Sequence, residues 1–238
     1  MNFRDIKELL DILQWPVQQL ELFQQAVTHS SFANEEGGLK SNERLEFLGD
    51  SVLELVISEY FFNIFPSLSE GNLTLMRHSI VNEKSLAGIA REWQFGSFLR
   101  LGKGESLSGG IYKDSILADA LEALVGALFL DLGYENARKV IIDLFNPLLK
   151  AVEKGDFPYL DYKTMFQEKC QSLLEKTPSY SIETELGAPH EKRFIAAVKI
   201  DDKVIGSGEG KTKKEAEQAA AKEAFERGLL QKDVFNEV

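Results

Sequence analysis

The stretch Asn42–Leu53, NERLEFLGDSVL, decides how the first half of the chain reads. Leu45, Leu48, Val52 and Leu55 recur at three- and four-residue spacing, the period of an amphipathic helix. Glu43, Glu46 and Asp50 stand at i, i+3 and i+7 of the same run. At about 100° per residue they share an arc of roughly 60° on one face. A helix over 43–62 is therefore expected, with the leucines and Val52 turned inward and an acidic stripe beside them. Pro66 stops it. A second segment, Ile116–Leu128, ILADALEALVGAL, places Asp119 and Glu122 at i and i+3 of an otherwise apolar helix.

Outward from these two segments, the first 150 residues read as helices with short breaks. Leu9, Leu10, Leu13, Val17 and Leu20 keep helical spacing around Pro16. One run extends from Asn72 to Trp93, and the Gly- and Ser-rich stretch Leu101–Gly110 reads as a loop. A helix over 115–132 stops at Gly133, and a last one, 134–152, is interrupted near Pro147. This half is expected to be all-α. KGDFPYL, 154–160, carries Gly155 and Pro158 and reads as a linker. After it comes a helix at 162–174, a strand at 179–185 and an alternating strand at 193–200. Asp201-Asp202 makes a tight turn into a returning strand at 203–207. An alanine-rich helix then opens at Thr212, with Thr212 and Glu215 spaced as a capping box, and ends at Gly228. The order of this second part is α-β-β-β-α. The boundaries expected are 1–153, a linker at 154–160, 161–230, and a tail at 231–238.

An acid on a helix is ordinarily solvated, and that suffices for Glu21 or Glu92. It does not suffice for Asp119 and Glu122, whose helix is too apolar to lie on the surface. Two half-buried carboxylates repel each other unless a cation neutralises them. Carboxylate oxygens suit hard divalent ions such as Mg²⁺. A di-iron carboxylate bundle is the rival, and it would add histidine from a Glu-x-x-His motif. His29, His78 and His190 are the three histidines, and none has a glutamate three residues before it. All-oxygen ligation favours magnesium or manganese.

Composition bounds the rest. The chain of 238 residues is 44% hydrophobic and 27% charged, as in a globular protein of one large domain or two ordinary ones. No apolar run reaches membrane-spanning length, and residues 1–14 lack the pattern of a signal peptide. The one cysteine, Cys170, excludes an internal disulfide, so a cytoplasmic location is expected. The net charge is −11, against the basic footprint usual for nucleic-acid binders. Residues 1–155 hold 14 basic and 22 acidic residues, and residues 156–238 hold 13 and 16. Any contact with phosphate must therefore come from a local basic patch.

NERLEFLGDSVL resembles the signature segment of the ribonuclease III family. Further matches follow in order: THSS at Thr28–Ser31, Glu70-Gly71 after Phe65-Pro66, LGKGE at Leu101–Glu105, and KDSILADALEALVGALFLD at Lys113–Asp131. The likeness covers essentially the whole chain. It implies an all-α N-terminal nuclease domain followed by a small α+β (α-β-β-β-α) double-stranded-RNA-binding domain. It further implies a metal site of Glu46, Asp119 and Glu122, with Asp50 and Glu122 catalytic and Asp50 completing the site or holding a metal-bound water. Glu43, Glu70 and Glu105 match acids of secondary role. The cofactor implied is Mg²⁺, with Mn²⁺ as a substitute, and no organic cofactor is expected. The reaction implied is hydrolysis of double-stranded RNA by metal-activated water, leaving 5′-phosphate and 3′-hydroxyl ends, staggered across the duplex. Staggered cuts imply a homodimer, with Phe47 as a contact between subunits, whereas a helical phenylalanine ordinarily packs in its own core. Precursor ribosomal RNA and messenger RNA are the substrates the family implies.

In the second half, DYKTMFQEK, Asp161–Lys169, resembles the first-helix motif of the RNA-binding domain, with Thr164, Gln167 and Glu168 facing the RNA. A carboxylate such as Glu168 can accept a hydrogen bond from a ribose 2′-hydroxyl. GAPHEKRF, Gly187–Phe194, resembles the loop that enters a minor groove through His190, with Ala188 where the family more often has proline. GKTKKEAEQAAA from Gly210 places Lys211, Lys213 and Lys214 at a helix N-terminus, which favours phosphate. Singly, each of these reads as an ordinary exposed residue; in order, they point to RNA. Two other classes share some of these features: an RNA-binding protein that keeps a dead nuclease fold for dimerisation, and a metal-carboxylate redox bundle. The complete acid set opposes the first, and the missing histidine ligands oppose the second.

Overall fold

A computed structural model describes residues 3–155, 161–187 and 192–227. The chain forms two compact units, 1–159 and 160–238. The first is helical, with α1 (Ile6–Leu13), α2 (Leu20–Ala26), α3 (Ser30–Glu36), α4 (Glu43–Ile64), α5 (Glu70–Ile80), α6 (Glu83–Glu92), α7 (Lys103–Leu107) and α8 (Asp114–Glu153). Its core is built on α8. Every residue from Ile116 to Leu128 is buried except Asp119 and Glu122. Against this rod packs α4, which contributes Leu53, Val56, Ile57 and Phe61 to the same core.

The two helices meet backbone to backbone. A Cβ on Gly49 of α4 would lie 1.7 Å from the carbonyl oxygen of Glu122, and one on Gly126 of α8 would lie 2.2 Å from the carbonyl oxygen of Leu45. Only glycine at both positions permits this approach. Around the crossing the other helices close the core. The Asp131 carboxylate of α8 accepts from the N–H groups of Gln18 and Gln19 and so caps the start of α2. Trp15 and Trp93 meet edge to face at 5.8 Å between centroids.

Several local expectations change. The run 72–93 is two helices, because the Asn82 side chain accepts from Ser85 N–H at 3.0 Å and starts α6 afresh. The stretch 101–110 is not all loop, since it holds the short α7. Nor is the last helix interrupted at Pro147: α8 runs through it, held by the buried Phe145, Leu149 and Val152 on its inner face. The expected stop at Gly133 is present: with φ +71° and ψ 171° it is a kink at which α8 passes from one helical segment, 114–132, to a second, 134–153. Leu55, expected inside, is 55% exposed.

The second unit has α9 (Tyr162–Leu174), an antiparallel sheet of β1 (Ser179–Leu186), β2 (Arg193–Ile200) and β3 (Lys203–Gly210) in the order β1-β2-β3, and α10 (Lys213–Glu226). Asp201 and Asp202 both take positive φ, at 47° and 65°, as a two-residue hairpin turn requires. Phe166 and Cys170 of α9, Ala196, Val198 and Ile200 of β2, and Ala216, Ala220 and Ala224 of α10 form its core. Gly206, Gly208 and Gly210 alternate on β3, and a Cβ on any of them would strike the α10 backbone at 2.2–2.6 Å. The capping box is only half formed. Thr212 accepts from Glu215 N–H, but the Glu215 carboxylate reaches past Thr212 to the N–H of Lys211. No helix among the described residues is long and apolar enough to cross a membrane.

Candidate metal centre and nucleic-acid interface

The crossing of α4 and α8 sets the geometry of the acidic stripe. Gly49 stands between Glu46 and Asp50, and Gly126 lies one turn beyond Glu122. Because the helices touch at these glycines, the carboxylates that flank them converge. One oxygen each from Glu46, Asp119 and Glu122 lies within 4.8 Å of the others. All three side chains are half-buried.

The electrostatics of the cluster follow from burial and like charge. Glu122 has its carboxyl pushed up to about 8, by burial first and then by Asp50, Asp119, Glu46 and Glu54. Burial also raises Glu46, helped by Asp119, Glu43 and Asp50. Asp119 is raised by burial and Glu83, with His29 opposing. Asp50 is exposed and lies outside the three-oxygen group, yet it is the carboxylate that acts most strongly on Glu122. Four acids that all resist ionisation form an electrostatic hole for a cation. The donor set is all oxygen, which fits a hard divalent ion and not a redox metal that takes histidine.

The other acids lie outside the three-oxygen group, although Glu43 acts on Glu46. Glu43 accepts from Ser41 Oγ at 2.9 Å. Glu70 opens α5 and lines a cavity of about 590 Å³ with Leu55, Phe62, Leu68, Leu73 and Arg77. Glu105 on α7 pairs with Lys113 at 2.6 Å, which holds its carboxyl below the usual range. Phe47, one residue from Glu46, is 78% exposed, so it is not packed in its own core. Sequence reasoning passes over Gly49 and Gly126, whose bare backbones let the two helices touch and so bring the acids together.

In the second unit, Thr164, Gln167 and Glu168 share the exposed face of α9, opposite Phe166 and Cys170. Lys211, Lys213 and Lys214 are exposed at the start of α10. The two elements are locked together: Gln218 Nε2 donates to Asp161 at 2.7 Å, Lys163 N–H donates to Gln218 at 3.2 Å, and Lys163 pairs with Glu217 at 2.6 Å. Lys213 also meets Glu185 at 3.3 Å and lies over the Phe194 ring. His190 and Ala188 lie outside the described residues.

Comparison with known proteins agrees with this architecture. Residues 19–148 match the family model "Ribonuclease-III-like", and residues 162–227 match "Double-stranded RNA binding motif". Ribonuclease 3 of Caldanaerobacter subterraneus subsp. tengcongensis is 54% identical over 88% of this chain and 92% of its own length. Ribonuclease 3 of Natranaerobius thermophilus is 47% identical over 94% and 96%. Among solved structures, the nuclease domain of ribonuclease III from Campylobacter jejuni is 40% identical, with a TM-score of 0.57, over 61% of this chain and 99% of that one. The two units are thus a helical nuclease domain and a double-stranded-RNA-binding domain of α-β-β-β-α order. The chain belongs to the ribonuclease III family. It is an endoribonuclease directed at double-stranded RNA.

Proposed function

We propose that this chain hydrolyses both strands of an RNA duplex with Mg²⁺ held by Glu46, Asp119 and Glu122, leaving staggered 5′-phosphate and 3′-hydroxyl ends. The observation that carries the reading is the convergence of three carboxylate oxygens on the crossing of two buried helices. When bound, a divalent cation supplies Lewis acidity to the scissile phosphate and lowers the pKa of water; Mn²⁺ serves as well. Water oxygen bonds to phosphorus while the P–O3′ bond breaks, and the O3′ side leaves as a hydroxyl. Glu46, Asp119 and Glu122 hold the cation. Asp50, beside Glu122, orients the water by accepting one of its hydrogen bonds.

The domains assigned are 1–153 for the nuclease, 154–160 for the linker, 161–230 for RNA binding and 231–238 for the tail. Staggered ends need two active sites on one duplex, so the working form is a homodimer. Phe47, Leu55 and Phe62 support this, for they leave 78%, 55% and 68% of their surfaces exposed along one face of a core helix. Glu43, Glu70 and Glu105 take secondary roles around the cut. The expected place is the cytoplasm, and the expected substrates are precursor ribosomal RNA and structured messenger RNA.

The deciding experiment is incubation with a long RNA duplex, with Mg²⁺ or with chelator, followed by end analysis. Cleavage with Mg²⁺ alone, giving 5′-phosphates and staggered cuts, is expected. Cutting in chelator, or none in Mg²⁺, overturns the reading.

RNA is held by Thr164, Gln167, Glu168 and His190 toward the minor grooves, and by Lys211, Lys213 and Lys214 toward phosphate. Replacing Lys213 and Lys214 together with alanine should weaken duplex binding alike for all sequences. The slope of log affinity against log salt should flatten by about one to two. Filter binding across a salt series measures this, and an unchanged slope removes the two lysines from the phosphate contacts.

A further inference from the structure

At one end of the RNA-binding sheet three residues lie side by side in register: Glu185 of β1 opposite Phe194 of β2, and Phe194 opposite Gly210 of β3. Residues paired across antiparallel strands project from one face. Here it is the face that α10 covers, since a Cβ on Gly210 would lie 2.4 Å from Ala216 N. The first turn of α10 therefore crosses the row. Lys213 lies over the Phe194 ring, 5.7 Å from its centroid, and its ammonium reaches Oε1 of Glu185 at 3.3 Å. The other oxygen of Glu185 meets Lys192, just before β2, at 3.1 Å.

One carboxylate thus holds two lysines from two segments of the chain. All three side chains are exposed. Exposed ion pairs contribute little to stability, so the fold does not account for the arrangement. Lys213 is also the lysine of its cluster that is neutralised in advance: the side chains of Lys211 and Lys214 have no carboxylate partner among the described residues. In a half of the chain that holds 13 basic and 16 acidic residues, one cation withheld from phosphate matters.

We infer that Glu185 is a brake on duplex binding, anchored by Lys192 and acting on Lys213, which RNA phosphate has to draw away from it. This rests on the reading of Lys213 as a phosphate contact and names the residue that sets the strength of that contact. A protein ion pair is exchanged for a phosphate contact, and the carboxylate stays beside the phosphate and repels it. The duplex is then held more weakly than the number of lysines implies. The salt dependence is shallower as well, because a carboxylate that loses its lysine takes up cations while the RNA releases them.

The test is filter binding of an RNA duplex to the full chain across a salt series, in chelator so that the duplex stays uncut. E185Q is expected to bind about fivefold more tightly than wild type at 0.1 M salt, with a steeper slope of log affinity against log salt. Circular-dichroism melts of the two should coincide. Glu175→Gln removes the same charge from the end of α9, where no lysine meets it among the described residues. The run of β1 from Ser179 to Glu185 separates the two acids by roughly 20 Å, about twice the screening length at that salt, so E175Q should bind like wild type. Combined with K213A, E185Q should change affinity by less than about twofold. E185Q binding no more tightly than wild type overturns the inference. So does an equal gain in the K213A background, which would mark a general charge effect; both results leave the phosphate reading of the lysines intact. K213A binding like wild type at every salt concentration overturns that reading and the inference together.

Discussion

Glu122→Gln should hold duplex RNA and barely cut it. The substitution keeps shape and hydrogen-bonding capacity, but a neutral amide oxygen is a weak ligand for a hard cation. Cleavage at low Mg²⁺ should fall by at least about 1,000-fold, with partial rescue by excess Mg²⁺ or Mn²⁺. RNA affinity, measured by gel shift on the same preparation, should stay within about threefold, since loss of a negative charge near phosphate reduces repulsion. Near-normal cleavage would remove Glu122 from the site and dissolve the Asp119–Glu122 pair with it.

The same variant has a pH signature. In the folded protein Glu122 releases its proton at about 8 rather than at 4.5, because of burial and its acidic neighbours. Between those values the unfolded chain has released the proton and the folded chain keeps it. Metal-free stability must therefore fall as pH rises from about 4.5 to about 8, and level off above. Glu46, Asp50 and Asp119 are raised too and act in the same sense. Wild type should melt lower at pH 8 than at pH 5 in chelator by roughly 5 °C, and E122Q should lose less. Mg²⁺ should raise the wild-type melting point more than that of E122Q. Equal pH slopes for the two proteins would contradict the assignment.

Gly49→Ala is the second large effect, and it acts through backbone. The new methyl would fall 1.7 Å from the Glu122 carbonyl oxygen, an atom fixed in the middle of a buried helix. To restore ordinary contact the helices must part by roughly 1.5 Å, as overpacked cores do. Destabilisation of at least about 3 kcal/mol is expected. Parting the helices also spreads the carboxylates, so the fraction that remains folded should cut at least about 100-fold more slowly. Gly71→Ala is the control, since nothing lies within 4 Å of its Cβ position and both activity and melting should hold. Denaturant melts and cleavage rates on the three proteins measure this. A Gly49→Ala protein with wild-type stability would mean that α4 and α8 are not in contact.

Much of this site was legible because period and chemistry disagreed. A helix whose every residue from Ile116 to Leu128 is apolar or small, apart from two acids, cannot be a surface helix, and those acids need a reason. Periodicity likewise located α4, α9 and β2 almost to the residue. What remained hidden was set by contacts distant in sequence. Gly49 and Gly126 look like ordinary helix-weakening residues until the two backbones are seen to touch. The sequence reading ends the third strand at Ser207, whereas β3 continues through Gly208 and Gly210, glycines that lie against the α10 backbone. Asp131 caps α2 at Gln19 from 112 residues away, and no local pattern joins them. The break at Asn82 was readable in principle, but the apolar period ran across it and outweighed the cap. Leu55 shows the converse error, an apolar residue assigned inward that the fold leaves on the outside.

The two tryptophans of the chain, Trp15 and Trp93, meet edge to face in the nuclease unit, and the RNA-binding unit has none. Intrinsic indole fluorescence therefore reports on one half of the molecule alone. A change of emission on heating or in denaturant follows the opening of the nuclease helices, while melting of the RNA-binding half passes unseen and has to be followed by circular dichroism. Disagreement between the two optical signals would thus reveal that the halves unfold separately, without a label and in the intact chain.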